Sequence, residues 1–243
     1  MKSHRFYVKN EIEKNNIFQL SESQSKQLLK VFRMKQGDQI IIFNGDGSEW
    51  ISDIIETTNF LVSVNPISKK IYKNHFRKFN LAIGICKNNR FEFCIEKCTE
   101  LGVSTIIPLL SDRVQNASKN LIYKNKIFRW SNISLEASEQ SNRLTVPLIT
   151  EPQSLEKVIK LNKESINFVL DSDGENIEFY KNILFKNQKP ITVFVGPPGG
   201  FTERELNEFS KENIKKVSLG QMVLRTETAA IVSAGLLNQL LVK

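Results

Sequence analysis

The sequence predicts an α/β protein, a parallel sheet with helices on its faces, preceded by a small N-terminal β-barrel. Three observations predict it. From Phe79 onward, β-branched apolar runs alternate with helical segments, the pattern of a parallel sheet. Before that point, short strands follow one another at hairpin spacing. Finally, two strands, Ile191–Val195 and 216–219, each run into a glycine loop and then a helix. Open α/β sheets bind ligands just past the carboxyl ends of such strands.

Taken in order, residues 4–8 open as a strand with aromatic and basic residues interleaved. Ser21 with Gln24 forms a capping box for a short helix through about residue 32, carrying Leu28, Leu29 and Phe32 inward. Residues 39–43, 49–55 and 60–64 read as strands, separated by the hairpin signals Asn44-Gly45-Asp46-Gly47 and Thr57-Thr58-Asn59. Residues 65–78 are polar and basic without a clear period, so the domain boundary is expected there, giving domains 1–72 and 73–243.

In the second domain, strand 81–86, helix 89–101 and strand Thr105–Leu110 follow in turn, and Gly102 stops the helix. A long helix over 121–141 places Glu136, Gln140 and Arg143 at helical spacing, where they can share one surface. Residues 166–170 form a buried strand ending in Asp171-Ser172-Asp173-Gly174. This segment lacks the remaining ligands of a calcium loop and reads as a turn.

A chain of 243 residues with 40% hydrophobic and 25% charged residues is globular, and no apolar run approaches a membrane span. A cytoplasmic protein is expected. The net charge of +8 suits a polyanionic partner and equally a solvated, Lys-rich surface. Cys86, Cys94 and Cys98, with two histidines elsewhere, do not make a zinc-site pattern, and Cys94 and Cys98 read as reduced, partly buried thiols on a helix. No metal is expected.

The two glycine loops carry the chemistry. Gly196, Gly199 and Gly200 allow positive φ or close approach to a ligand, and Thr202 with Glu205 opens the next helix as a capping box. Gly-Pro-Pro-Gly-Gly alone also fits an ordinary strand-to-helix turn. A phosphate loop fits less well, because Phe201-Thr202, not Lys-Ser/Thr, follows the glycines, and no dinucleotide fingerprint is present. After Gly220, the run Arg225-Thr226-Glu227-Thr228 places a cation, an anion and two hydroxyls at a helix start, more than a cap requires.

These residues carry a resemblance. Gly196 to Phe201 with Glu205, then Leu219-Gly220 and Leu224 to Ala229, resemble the paired signature of the RsmE family of 16S ribosomal RNA uridine-N3 methyltransferases, of the SPOUT superfamily. His4-Arg5-Phe6-Tyr7, Val31-Phe32-Arg33, Thr99 to Val103 and Glu136 to Arg143 fit the same pattern in order. The chain departs from it at Gln27, Asn142, Pro198, Gln221 and Met222.

The resemblance implies a trefoil-knotted methyltransferase domain behind a PUA-like RNA-binding barrel. It also implies S-adenosyl-L-methionine as cofactor, 16S ribosomal RNA or the assembled small subunit as partner, and a homodimer. Arg225 would hold charge developing on the uracil and Glu227 would accept the N3 proton. Leu170, Val195, Gly196, Gly199, Gly200, Leu219, Gly220, Leu224, Thr226 and Thr228 would hold the cofactor. Arg5, Arg33, Lys35 and Arg143 would face RNA, since a guanidinium grips phosphate in a fork or stacks on an unpaired base. A methyltransferase acting on another RNA or base position, and a non-catalytic ribosome-assembly protein, remain the alternatives.

Overall fold

The computed structural model describes residues 4–72, 77–114 and 120–241, with backbone alone for 120–124. The chain forms two compact units, Met1–Asn74 with Ser138–Val146, and His75–Ala137 with Pro147–Lys243. That 138–146 fold with the first unit was not expected, since they continue from a helix of the second. Of the stretch expected to hold the boundary, residues 73–76 lie outside the described residues.

In the first unit a curled five-stranded sheet runs in the order β1-β3-β4-β5-β2, from β1 (Arg5–Tyr7), β2 (Phe18–Gln19), β3 (Gln39–Phe43), β4 (Ser48–Thr58) and β5 (Leu61–Ile71). Alternate residues of these strands, among them Phe6, Ile40, Ile42, Ile54, Val62 and Val64, point into one core that Leu28 completes. Helix α1 (Glu22–Lys26) starts at the Ser21/Gln24 capping box and widens into a π turn over Gln27–Val31.

Two expectations need correction here. Residues 65–71 are not a linker but continue β5, paired with β4 as far as Ser48 opposite Ile71. The ladder shifts register between Ile51 and Ser52, and Pro66 lies opposite Ser52, a place where the missing N–H is tolerated. Phe60 belongs to the turn rather than the strand. It follows Asn59 with both residues at positive φ, 52° and 63°, as a two-residue hairpin of right-handed twist requires.

The second unit is built on a parallel sheet in the order β12-β10-β11-β6-β7-β8, with β9 also paired to β7. Its strands are β6 (Phe79–Gly84), β7 (Thr105–Leu110), β8 (Leu148–Ile149), β9 (Gln153–Ser154), β10 (Ile166–Asn176), β11 (Ile191–Val195) and β12 (Lys215–Ser218). Every pairing in it is parallel. The central strands β6, β7 and β11 are buried almost throughout because both faces of the sheet are covered there. Leu81, Ile83, Ile191 and Val193 pack with Phe91, Cys94 and Ile95 of α2 (Asn88–Glu100) and Ala230, Ala234 and Leu237 of α7 (Thr226–Leu241). Ala82, Val169 and Phe194 face the other way, onto Leu155 and Val158 of α4 (Leu155–Leu161) and Phe209 of α6 (Glu203–Lys211).

Helix α3 (Asn120–Gln140) ends one residue short of the expected position, and Asn142 turns the chain at φ 59°. Asn tolerates this left-handed region, which explains how it stands where the resemblance often has Gly. Helical spacing therefore does not reach Arg143, whose N–H donates to the Ser138 carbonyl beyond the helix end. The short helix α5 (Lys181–Lys186) precedes β11. Residues 171–174, expected as a turn after the strand, lie instead within β10 as a bulge, since Leu170 and Glu175 both pair with Val217. Gly174 is required there, because a Cβ would stand 2.5 Å from the Val217 nitrogen.

Candidate functional site

At the carboxyl ends of β10, β11 and β12 lies a crevice of about 650 Å³. Its first wall is the loop after β11. Gly199 and Gly200 have φ of 96° and 75°, and a Cβ on Gly196 would stand 3.2 Å from the Gly200 Cα, so the three glycines allow this turn for different reasons. The loop is braced from several sides. Gly84, at the end of β6, lets the Pro197 backbone pass so close that an added Cβ would stand 2.7 Å from the Pro197 Cα. Arg113 donates to the Gly199 carbonyl.

Beyond the loop, Thr202 and Glu205 form the expected capping box of α6. Glu205 is fully buried, and its carboxylate accepts the N–H groups of Asp112 at 3.0 Å and Thr202 at 2.8 Å. Arg204 forks onto Asp112 at 2.7 and 2.9 Å and also reaches Glu156.

The second wall is the loop after β12, where Gly220 has φ 120° and no atom lies within 4 Å of its added Cβ. It leads into α7, and Thr226 at the start of that helix donates its hydroxyl to the Gly196 carbonyl at 3.0 Å. One hydrogen bond thus joins the two glycine loops. Met222 and Val223, 78% and 94% exposed, stand at the crevice lip.

Of the residues expected to hold a cofactor, Leu170, Val195, Gly196, Gly199, Gly200, Leu219, Gly220, Leu224 and Thr226 all line this crevice, as do Arg225 and Glu227. Thr228 is exposed and is not among the lining residues. Arg225 is exposed and forms no ion pair among the described residues. Glu227 pairs instead with Arg90, on the first turn of α2, at 3.6 Å. Burial, with the Glu227 charge adding to it, pushes the Cys86 thiol up to about 11, so Cys86 stays neutral. Cys94 and Cys98 are buried and free, and burial raises both thiols.

Sequence reasoning passed over Arg90 and Gly84, and read Asp171 only as part of a turn. Asp171 lines the crevice and is held by Lys216 at 2.9 Å. Burial by itself raises this carboxyl, but the hydrogen bond from the Asp173 N–H and the hydrogen bond and charge of Lys216 outweigh it and keep the group below its usual range. Arg90 and Gly84 had one available signal, a cation at a helix start and a glycine at a strand end, both leaving β6.

The proposed RNA-facing cations divide in two. Arg33, at φ 53°, and Lys35 are exposed. The Arg5 side chain, 6% exposed, is paired with Glu49 and donates to the Arg143 carbonyl at 3.2 Å. Arg143 donates to the Thr145 carbonyl at 3.0 Å, and burial pulls its guanidinium down to about 10, still charged at neutral pH. Both guanidinium groups are thus engaged by partners within the first unit.

Residues 73–238 match the family model for an RNA methyltransferase domain, and residues 20–64 match that for an RNA methyltransferase PUA domain. The ribosomal RNA small subunit methyltransferase E of Rickettsia conorii is 32% identical over 235 residues, covering 95% of this chain and 93% of its own length. The chain belongs to this RNA methyltransferase family. The methyltransferase E of Buchnera aphidicola is 31% identical over 229 residues, 93% of this chain and 92% of its own. A methyltransferase from Legionella pneumophila, solved with its cofactor SAM bound, superimposes with a TM-score of 0.90 at 30% identity over 98% of both chains. As a methyltransferase, the chain carries both parts of the family's architecture, the curled sheet and the parallel-sheet domain.

Proposed function

We propose that this chain transfers the methyl group of S-adenosyl-L-methionine to N3 of a uridine in 16S ribosomal RNA, free or in the assembled small subunit. The observation that carries the reading is the crevice between the two glycine loops, in a family whose Legionella member binds that cofactor. Its lining fits a nucleoside: Leu170, Val195, Leu219 and Leu224 are apolar walls, and Gly200 and Gly220 leave open the space a side chain would fill. The adenine would be read by main-chain groups near Leu219, Gly220 and Leu224. When bound, the cofactor supplies an electrophilic methyl on a sulfonium.

The imide nitrogen of uridine is a poor nucleophile until its proton leaves. Glu227 accepts that proton, and Arg225 holds the negative charge that collects on a uracil oxygen. The base reaches them unstacked. Arg33 and Lys35, exposed on the first unit, engage RNA phosphates. Division of labour between an RNA-binding domain at 1–72 and a methyltransferase domain at 73–243 is supported by the two family matches. The knotted chain path and a cytoplasmic site of action belong to the same reading, as does an isologous dimer, favoured by the partly exposed Val232 and Leu236 on α7.

Mass-spectrometric mapping of nucleosides in 16S ribosomal RNA from cells with and without the gene tests the reading. Loss of one 3-methyluridine is expected. An unchanged inventory, or loss of another modified base, overturns it.

A further inference from the structure

We infer that Arg90 is a positioning residue for methyl transfer, acting through the carboxylate of Glu227. The inference rests on the reading of Glu227 as the proton acceptor. Arg90 is the third residue of α2, a helix fixed in the core by Phe91, Cys94 and Ile95, each fully buried. Glu227 is the second residue of α7. The two helices leave different strands, and their first turns meet at the crevice wall, where Arg90 Nε lies 3.6 Å from Glu227 Oε1.

The Glu227 side chain is 13% exposed, and its Oε2 is buried with no hydrogen-bond partner. Among the described residues, Arg90 is the one cation paired with it. Arg225, two residues away, is exposed and forms no ion pair with it, and the neutral Cys86 thiol offers no counter-charge. A group that is to accept a proton must be held facing its substrate, and Arg90 is the side chain that fixes this carboxylate. The Arg90 side chain is itself 40% exposed, so as a simple surface pair it would contribute little to stability. Its placement makes sense as orientation of a reacting group.

Single-turnover methylation of undermodified small subunits by Arg90→Ala, Arg90→Lys, Glu227→Gln and the double variant Arg90→Ala/Glu227→Gln tests this. Arg90→Ala is expected to lose on the order of tenfold to a hundredfold in rate, with Lys restoring part of it. In the Glu227→Gln background the same change is expected to cost less than about twofold, because the two act as a unit. Calorimetric affinity for S-adenosylhomocysteine should be unchanged throughout. Additive losses, or a wild-type rate for Arg90→Ala beside an impaired Glu227→Gln, overturn the inference alone. A wild-type rate for Glu227→Gln overturns the assignment of Glu227 and this inference with it.

Discussion

The hydroxyl of Thr226 donates to the carbonyl of Gly196 at 3.0 Å, so the first residue of α7 fixes the first residue of the opposite glycine loop. Thr226 is 5% exposed, which leaves its hydroxyl no access to bulk water as an alternative. Thr226→Val should therefore lower stability by about 1 kcal/mol and weaken S-adenosylmethionine binding, whereas Thr226→Ser should keep both. Denaturant unfolding and calorimetry check this. Equal affinity in the Val variant would show that the loops hold their spacing without the bond.

Two glycines, Gly84 behind the first crevice loop and Gly220 in the crevice lining, should fail differently. Gly84→Ala puts a methyl against the Pro197 backbone, so it should cost about 1–3 kcal/mol of stability and displace the loop. Gly220 has open space but φ 120°, so Gly220→Val should strain the loop and fill the crevice. It should abolish cofactor binding while the first unit remains folded, as seen by calorimetry alongside the Trp50 fluorescence of that unit.

Arg225 lines the crevice, exposed and without an ion pair among the described residues. If it holds charge on the uracil, Arg225→Ala should lose roughly 100-fold in single-turnover rate, the scale of one preorganised donor, with cofactor affinity unchanged. A proportionate loss of cofactor affinity would make it a binding residue instead.

Arg5 and Glu49 form a sheltered pair, so Arg5→Ala should lower stability by about 3 kcal/mol rather than change RNA binding directly. The effect should depend on pH with a definite sign. Burial by itself raises the Glu49 carboxyl, but hydrogen bonds from Tyr72 and Arg5 outweigh it and hold the group below the usual glutamate range. Its contribution is thus full at neutral pH and is lost as pH falls through that depressed value. Unfolding measured across an acid pH series should show the loss in wild type and a smaller one in Arg5→Ala.

Arg33 should behave as a phosphate contact. Arg33→Ala should weaken ribosomal RNA binding and reduce the slope of log affinity against log salt by about 1, with stability unchanged. An unaltered slope across a salt titration would remove Arg33 from the interface.

The strands and loops that build the crevice were legible because local chemistry dictates them. Ile191–Val195 is apolar on both faces, Thr202 and Glu205 cap within one turn, and Gly199, Gly200 and Gly220 sit where the backbone needs them. Partners distant in sequence were not legible. Nothing near Arg5 announces Glu49, nothing near Glu227 announces Arg90, and charge alone could not tell a sheltered guanidinium such as Arg143 from an exposed one such as Arg33. The strand character of 65–71 was hidden because its outward residues are polar and its partner strand, not its own pattern, fixes its register.

The order of strands across the sheet has a kinetic consequence. The crevice draws on β6, β10, β11 and β12, and only α7, the last helix, supplies the hydroxyl that joins its walls. Parallel pairings and contacts of this span close slowly, because chain entropy is lost before they are rewarded. A nascent chain released only as far as β11 would hold the first glycine loop with no opposing wall. With the crevice as the proposed cofactor site, cofactor would bind only the finished domain and by mass action would draw late, incomplete species toward the native state.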